Sequence, residues 1–280
     1  MKSILITGSK GHLGSYIYDY FSKKNYSIIT LDRELTLKKN SYKLSNFIIK
    51  NLPDVIINCA AIVGLQNSES QKKLTLDLNT FFPIRLANIS KKNQINFIQI
   101  STNSSFEGVD PSINRTEDLK GIPKSFYAKT KHQADVELLK MSDKFTILRI
   151  SNLYSDRIQF NSNILNGILQ NLKRNEVIIK RNEILSPVSA ETVSKALEDI
   201  IINNAKGIYH CVDAGICSWE ILISFICKKL NKTPKFKTIY EKNSRIINST
   251  LSSKNSFCYY SDWKKGLEKS IDNITNKYIQ

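Results

Sequence analysis

A tyrosine and a lysine stand four positions apart in the stretch SFYAKTK, residues 125–131. On a helix, Tyr127 and Lys131 would share one face, one turn apart. A phenol titrates near pH ~10, too high for easy proton exchange at neutral pH. We expect the lysine ammonium to stabilise the phenolate and lower the pKa of Tyr127. Such a phenol is an acid/base group for a carbonyl or alcohol oxygen.

Two hydroxyl side chains stand at the end of the apolar run INFIQIS, residues 95–101. Ser101 and Thr102 would lie at the carboxyl end of that strand, where doubly wound sheets bind their ligands. A hydroxyl at this place can hydrogen-bond the same substrate oxygen that Tyr127 protonates. The pattern therefore predicts that the tyrosine and a hydroxyl meet at one crevice.

Three of the ten glycines fall within seven residues of the stretch ILITGSKGHLG, residues 4–14. We expect Gly8 to permit a tight turn after the first strand and Gly14 to let the next helix pack closely on that strand. Gly11 removes a side chain that would keep a pyrophosphate away from the N–H groups of the helix that begins near His12. The spacing GxxGxxG differs from the usual GxGxxG, but the strand–turn–helix setting favours dinucleotide binding over a purely structural turn.

The second predicted strand closes with LDR, residues 31–33. Asp32 lies eighteen positions after Gly14, near where an acidic residue meets the adenosine ribose of a bound dinucleotide. Arg33 beside it could instead face a 2′-phosphate. Both NADH and NADPH therefore remain open at this point.

Short apolar runs alternate with segments of helical length over the first 150 residues. Near-continuous Ile, Val and Leu predict strands buried on both faces, as in a parallel sheet. The strands are predicted at 3–7, 26–31, 54–60, 95–101 and 145–151, and helices between them at 12–24, 70–92 and 125–141. This alternation predicts an α/β fold with a doubly wound (Rossmann) parallel sheet.

The pattern loosens after residue 151. Helices are predicted at 161–174, 189–203 and 217–230, and strands at 176–180, 207–212 and 235–240. We expect residues 1–151 to form a dinucleotide-binding domain and residues 152–280 a smaller mixed α/β substrate-binding lobe. Part of that C-terminal chain is expected to return to the Rossmann core.

The composition makes several classes of function less favoured for this chain. The formal charge of +16 comes from lysines scattered in ones and twos, which favours a solvated basic surface over nucleic-acid binding. Five cysteines without a CxxC pair predict free thiols and no metal site. No run approaches the ~20 apolar residues that cross a bilayer, and no signal peptide opens the chain. We therefore expect a cytoplasmic protein without a membrane partner.

The chain resembles the extended short-chain dehydrogenase/reductases, and within them the dTDP-4-dehydrorhamnose reductase family. The glycine and YxxxK motifs are common to the superfamily, whereas PVSAETVSKAL (187–197) and GIYHCVDAGICSWE (207–220) are more particular to that family. Further similar stretches are DVIINCAA, LDLN, ISTNSSFEG, YAKTKHQAD, LRISNLY and WKKGLEKSI.

The resemblance implies a catalytic set of Thr102, Tyr127 and Lys131. Tyr127 would give a proton to a sugar keto oxygen as the nicotinamide delivers hydride, Thr102 would orient that oxygen, and Lys131 would lower the pKa of the phenol and bind the nicotinamide ribose. The implied cofactor is NADP(H) or NAD(H), with NADPH slightly favoured. Its implied binding residues are Gly8, Gly11, His12, Leu13, Gly14, Asp32, Arg33, Cys59, Ala60, Ala61, Asn79, Tyr127 and Lys131.

The substrate side departs from the family. The family reads STDYVF after the fourth strand, whereas this chain reads STNSSF, so that Ser104 stands where a tyrosine lines the sugar pocket. Asn152 replaces an expected aromatic residue, and Val63 replaces a threonine. These departures predict a sugar other than 4-dehydrorhamnose. The predicted substrate-binding residues are Val63, Thr102, Asn103, Ser104, Asn152 and Arg245.

The sequence therefore predicts a nicotinamide-dependent reductase of a nucleotide-linked keto-sugar in surface-polysaccharide biosynthesis. An epimerase or dehydratase of the same superfamily is the first alternative. A non-catalytic homologue that binds the dinucleotide and regulates a partner is the second, and the complete catalytic set speaks against it. Nucleic-acid binding ranks last. A homodimer is the expected assembly, although the sequence does not fix the oligomeric state.

Overall fold

The computed structural model describes residues 1–179, 182–238, 247–254 and 261–278. The chain forms two compact units. The first unit consists of Met1–Gly108, Lys120–Arg149 and Ala196–Tyr209, and the second of Val109–Leu119, Ile150–Lys195 and His210–Gln280. The substrate-binding role predicted for residues 152–280 stays a prediction.

Strands and helices alternate along the chain. The strands are β1 (Lys2–Thr7), β2 (Tyr26–Thr30), β3 (Val55–Asn58), β4 (Asn96–Thr102), β5 (Thr146–Ile150), β6 (Leu153–Tyr154), β7 (Glu176–Ile179), β8 (Glu183–Leu185), β9 (Val188–Ser189), β10 (Gly207–Cys211), β11 (Cys217–Ser218), β12 (Lys235–Thr238) and β13 (Ile247–Asn248). The α-helices are α1 (His12–Ser22), α2 (Ser41–Asn51), α3 (Leu65–Ser70), α4 (Lys72–Leu76), α5 (Phe82–Lys92), α6 (Phe126–Met141), α7 (Ile164–Lys173), α8 (Ala190–Ile202), α9 (Trp219–Lys229) and α10 (Trp263–Tyr278).

The central sheet has six strands in the order β10–β5–β4–β3–β1–β2. The pairs β1/β2, β1/β3 and β3/β4 are parallel. The apolar residues of β1 and β3 are buried because helices cover both faces of the sheet. The predicted doubly wound, mainly parallel sheet is confirmed, and each strand predicted in the first 151 residues forms.

One predicted helix is not continuous. Instead of a single helix over 70–92, the chain forms α3, α4, a wide π-type turn at Asp77–Phe81, and then α5. Pro83 stands in the first turn of α5 and has no N–H to give to the carbonyl four residues before it. The hydrogen-bond pattern therefore widens before the proline, and the helix restarts at Phe82.

The second unit packs around its own apolar core, which includes Tyr154, Leu185, Leu222, Trp263 and Leu267. Its short strands form three small sheets, β11–β8–β13, β12–β7 and β6–β9. Helices α7, α8 and α9 form where the sequence predicts them. Trp263 is buried in this core. The last residues of the strand predicted at 235–240 lie outside the described residues.

Neither a disulfide nor a membrane-spanning helix is found in the described part of the chain. Cys59, Cys211, Cys217 and Cys227 form no disulfide, and Cys258 lies outside the described residues. Of the helices that the structure describes, none combines the length and the apolar character needed to cross a bilayer.

Candidate active site

The glycine turn after β1 belongs to the first unit. Gly8, Gly11 and Gly14 differ in backbone conformation and in what surrounds them. Gly8 has a φ of +66°, and a Cβ there would stand 2.8 Å from the backbone nitrogen of Ala60. A Cβ on Gly14 would stand 2.2 Å from the carbonyl oxygen of Gly8. The two positions therefore need glycine, one for conformation and one for a close approach. The nearest neighbours of a Cβ on Gly14 are backbone atoms of Gly8 and Ser9 in the turn that follows β1.

Gly11 differs from the other two because little lies near it. It is the N-cap of α1, and a Cβ there would meet only the Gly8 carbonyl oxygen, at 3.2 Å. The first turn of α1 contains no acidic residue. The N–H groups of a first helical turn have no intrahelical acceptor and attract anions. The turn thus fits the pyrophosphate of a dinucleotide, with His12 and Leu13 in the first turn of the helix.

Asp32 and Arg33 follow β2 and are both exposed. Asp32 is the N-cap of a short 3₁₀ helix, Arg33–Thr36. The structure therefore leaves both side chains accessible beside the end of β2, and the choice between a ribose and a 2′-phosphate stays a prediction.

The segment after β3, residues 59–62, lies next to the glycine turn and is hydrogen-bonded to the Asn79 side chain. Ala60 is the backbone neighbour that leaves no room for a side chain on Gly8. The Asn79 side chain accepts a hydrogen bond from Ile62 N at 2.8 Å and donates to Ile62 O at 2.9 Å. It also donates to the Thr130 hydroxyl at 3.3 Å. The Asn79 amide therefore holds this segment against α6.

The predicted catalytic residues come from two neighbouring elements of the first unit. Thr102 is the last residue of β4, and Tyr127 and Lys131 lie one turn apart on α6. The Thr102 hydroxyl is hydrogen-bonded to the Tyr127 phenol. Thr102 also caps the 3₁₀ turn Asn103–Phe106 by accepting a hydrogen bond from Ser104 N at 3.1 Å. The structure thus brings the hydroxyl and the phenol together as predicted.

The pKa of Tyr127 moves in the direction opposite to the prediction. Desolvation of the phenol raises the pKa of Tyr127 to about 12, against the hydrogen bond from Thr102, and the charges of Asp135 and Glu107 add to the rise. Lys131 does not offset this rise, because its ammonium donates instead to the carbonyl oxygen of Ile100 at 2.7 Å. The phenol is therefore protonated at neutral pH.

Lys131 itself is almost fully buried. Burial lowers the pKa of Lys131 to about 8, and electrostatic interactions with Asp135 and, to a smaller extent, with Cys59 oppose that fall. The Cys59 thiol stays protonated, because burial raises its pKa to about 12. Lys131, the predicted catalytic lysine, therefore has a pKa close to physiological pH.

A row of buried polar side chains links the glycine turn to Lys131. The Thr7 hydroxyl donates to Asn58 Oδ1 at 2.5 Å, and Asn58 Nδ2 donates to Gln99 Oε1 at 2.7 Å. Gln99 Nε2 donates at 2.7 Å to the Ile100 carbonyl oxygen that also accepts from Lys131. These side chains belong to β1, β3 and β4, at residues that pair across the sheet. We call Thr7, Asn58 and Gln99 the polar row.

The start of α6 is fixed by a carboxylate from the loop after β4. Ser125 caps the helix, and its hydroxyl accepts a hydrogen bond from Ala128 N at 3.1 Å. Glu107 accepts hydrogen bonds from Ser125 N at 2.7 Å and from Ser125 Oγ at 2.8 Å. Glu107 therefore joins the segment that carries Thr102 to the helix that carries Tyr127.

We expect Glu107→Gln to lower the free energy of unfolding by about 1 kcal/mol, in the range of a lost helix cap. The amide keeps the shape of the side chain, but it removes the charge and turns one acceptor into a donor that faces N–H and O–H donors. Urea unfolding measures the change. Glu137→Gln is the matched control, since Glu137 is a solvent-accessible α6 carboxylate that pairs with Lys140, and it should change stability by less than about 0.5 kcal/mol. Equal midpoints for the two variants would contradict this role of Glu107.

The predicted substrate residues are divided between the units. Val63, Asn103 and Ser104 belong to the first unit, and Thr102 donates to Asn103 Oδ1 at 3.3 Å. Asn152 belongs to the second unit, where it accepts a hydrogen bond from Ser151 Oγ at 2.8 Å. Arg245 lies outside the described residues. The roles of these residues in binding a sugar stay predictions.

Three residues of the site were not singled out from the sequence. Glu107 and Asp135 contact the elements that carry the predicted catalytic residues through partners on another element. Gln99 lies on β4 itself and donates to the Ile100 carbonyl oxygen, which also accepts from Lys131. A signal existed for two of them. Gln99 is a polar residue inside the apolar run FIQIS, and Asp135 repeats the spacing of four that separates Tyr127 from Lys131.

Comparison with known proteins identifies the family of the chain. A family model described as the RmlD substrate binding domain matches residues 1–276. The spore coat polysaccharide biosynthesis protein SpsK of Bacillus subtilis (strain 168) is 25% identical over 221 residues, which cover 78% of this chain and 76% of that protein.

Solved structures share the fold over nearly the whole chain. A dTDP-4-dehydrorhamnose reductase from Clostridium acetobutylicum ATCC 824 superposes with a TM-score of 0.85 at 26% identity, and covers 96% of this chain and 98% of its own. A dTDP-4-dehydrorhamnose reductase from Bacillus anthracis str. Ames, solved in complex with NADP, has a TM-score of 0.87 at 23% identity, with coverages of 97% and 99%.

Proposed function

Because the chain belongs to the RmlD substrate binding domain family, we propose that it reduces the ketone of a nucleotide-linked sugar with a reduced nicotinamide dinucleotide. The resemblance to the extended short-chain dehydrogenase/reductases and their dTDP-4-dehydrorhamnose reductase-like members is confirmed, and so is the prediction of an enzyme of that type. A sugar reductase role follows from this membership. The nucleotide-linked substrate is the further step of the proposal.

The observation that carries the proposal is the hydrogen bond between the Thr102 hydroxyl at the end of β4 and the Tyr127 phenol on α6. Reduction of a ketone requires a proton donor at the carbonyl oxygen, and a phenol with a pKa of about 12 holds its proton at neutral pH. An epimerase or dehydratase that first oxidises an alcohol needs a base at the same place. Desolvation, Asp135 and Glu107 all oppose the phenolate that would be that base.

The chemistry divides between the cofactor and the chain. A reduced nicotinamide, when bound, supplies the hydride that reaches the carbonyl carbon. The glycine turn and the first turn of α1 would hold its pyrophosphate. Thr102 would orient the keto oxygen by a hydrogen bond, and Tyr127 Oη would give that oxygen its proton. The phenolate left on Tyr127 regains a proton from solvent, so the net change is one ketone to one alcohol.

The residues predicted to bind the sugar differ from those of the family, and these differences bear on the identity of the sugar. Ser104 and Asn152 stand where the family carries aromatic residues, and Ser104 directly follows the Thr102–Asn103 pair. Smaller polar side chains leave more room and more hydrogen-bonding groups for a ring substituent. We therefore favour a keto-sugar other than 4-dehydrorhamnose. The SpsK relative, by its name, acts in polysaccharide biosynthesis, which is the process proposed for this product.

A panel of nucleotide-linked 4-keto-sugars tests the proposal. The purified protein is mixed with each sugar and either NADPH or NADH, and loss of reduced nicotinamide is followed beside mass analysis of the product. A reductase consumes one reduced dinucleotide for each alcohol formed. Product that forms without net consumption would assign the chain to the epimerases or dehydratases. Dinucleotide binding without turnover on any sugar, together with an unchanged cellular role of a Tyr127→Phe chain, would favour a regulatory homologue.

A further inference from the structure

Three successive residues at the end of β4 contact three residues on one face of α6. The Ile100 carbonyl accepts from Lys131, the Ser101 hydroxyl donates to Asp135 Oδ2 at 2.7 Å, and the Thr102 hydroxyl meets the Tyr127 phenol. Tyr127, Lys131 and Asp135 are spaced by four and so lie along one helical stripe. The Ser101–Asp135 bond is thus the middle of three contacts that align the helix with the strand.

We propose that Asp135 is a positioning residue that aligns α6 on β4 and supplies the negative charge that keeps the buried Lys131 ammonium protonated. The alignment and the charge are properties of the chain itself. Only the kinetic consequence of the proposal rests on the proposed reductase function.

The buried carboxylate of Asp135 makes polar contacts with two other elements. The residue is 0% exposed. Besides Ser101, Oδ2 meets Arg149 Nε at 3.3 Å, and the Arg149 guanidinium lies over the Phe106 ring at 5.3 Å. Oδ1 is buried and has no hydrogen-bond partner among the described residues. A buried carboxylate oxygen without a donor is costly, so the charge must be compensated by nearby cations.

The negative charge of Asp135 also stabilises the protonated form of Lys131. Lys131 is 3% exposed, and a buried ammonium requires a counter-charge. On α6 it shares the stripe with the neutral Tyr127 phenol and with Asp135, and His132 is the neighbour whose pKa is lowered by burial. Cys59, just after β3, also acts on it electrostatically, and the Ile100 carbonyl oxygen on β4 accepts its hydrogen bond.

Two charges on other elements also act around this stripe. The Arg149 guanidinium on β5 forms an ion pair with Asp135. The negative charge of Glu107, which follows β4, raises the pKa of Tyr127. Among the charges that act on Lys131, Asp135 is the first that opposes the effect of burial on its pKa. Because burial has already brought that pKa to about 8, the loss of Asp135 would leave Lys131 largely neutral at physiological pH.

Lysine labelled with ¹³C at Cε reports the charge of Lys131 without any substrate. Its resonance is assigned by its absence in a Lys131→Met chain. We expect a titration midpoint near pH 8 in the wild type and a midpoint at least about one pH unit lower in Asp135→Asn. Ser101→Ala, which keeps the carboxylate, and Glu137→Gln, a solvent-accessible α6 carboxylate, should leave the midpoint in place.

A second variant covers the case in which Asp135→Asn does not fold. Asp135→Asn/Arg149→Met removes the buried pair together, so that no guanidinium is left buried alone. A downward shift is again expected, smaller than in Asp135→Asn because the lost guanidinium charge offsets part of the lost carboxylate charge. A midpoint in either folded variant that equals the wild-type value would overturn the proposal.

A kinetic measurement then separates this proposal from the proposed function. With an active keto-sugar, the alkaline fall of kcat should move to lower pH in Asp135→Asn, because the pKa values of both Lys131 and Tyr127 fall when this charge is removed. A merely structural role would lower kcat equally at every pH. Should no sugar be reduced, the proposed function fails, while the lysine titration still decides the role of Asp135.

Discussion

Replacing Tyr127 by phenylalanine is expected to lower kcat by about 10²–10⁴-fold while it leaves dinucleotide affinity within about twofold of the wild type. The substitution removes only Oη, the atom that meets the Thr102 hydroxyl, and keeps the half-buried ring. The reaction then loses its proton donor, whereas the glycine turn at the start of α1 is untouched. Steady-state reduction of an active keto-sugar gives kcat, and a fluorescence titration with NADPH gives the affinity.

Tyr42→Phe is the matched control for this substitution. Tyr42 on α2 is 78% exposed and should tolerate the loss of its hydroxyl in both measurements. If Tyr127→Phe weakened binding and turnover by the same factor, the phenol would be a structural element and the general-acid role would fail.

Gly14→Ala should have the largest effect on the fold of the first unit. Its Cβ would stand 2.2 Å from the Gly8 carbonyl oxygen and 3.1 Å from Ser9 Cα, and backbone atoms cannot rotate away as a flexible side chain does. We expect the free energy of unfolding to fall by about 3 kcal/mol, at the upper end for an overpacked site. The displaced turn should also weaken dinucleotide binding. Urea unfolding and the NADPH titration measure the two effects.

Two other glycines provide the comparison. A Cβ on Gly167, within α7, meets nothing within 4 Å, so Gly167→Ala should raise stability by about 0.5–1 kcal/mol. Gly11→Ala should leave stability nearly unchanged and weaken dinucleotide binding, because its methyl group would occupy space open to a pyrophosphate. A Gly14→Ala chain as stable as wild type would show that the turn can move at little cost and that the site is not close-packed there.

Local patterns in the sequence predicted most of the fold that positions the site. Strands buried on both faces, such as β1 and β3, show as continuous β-branched runs because no polar face interrupts them. The glycine turn and the YxxxK pair could also be predicted from the sequence, because each is formed by a few consecutive residues. The interruption of the helix predicted at 70–92 had a signal in Pro83, whose missing N–H widens the turn before it.

Features that depend on distant packing could be predicted only in part. The sequence led us to expect that some of the C-terminal chain returns to the first unit, but it did not indicate which residues do so. Residues 109–119 belong to the second unit, and residues 196–209 to the first, because of contacts far along the chain. The pKa of Tyr127 was predicted to fall and is raised, because the direction depends on desolvation and on which acceptor the Lys131 ammonium binds. A spacing of four residues says that two side chains share a helix face, but not which third group either of them contacts.

The polar row has a consequence for how the central sheet assembles. Strands made almost wholly of Ile, Val and Leu are alike at each position, so apolar contacts alone barely distinguish one alignment of β1, β3 and β4 from an alignment slipped along the strand. A slip would separate Thr7, Asn58 and Gln99 from one another and leave buried amide groups without acceptors, at about 1–3 kcal/mol for each group. The polar row therefore favours a single alignment of the three strands.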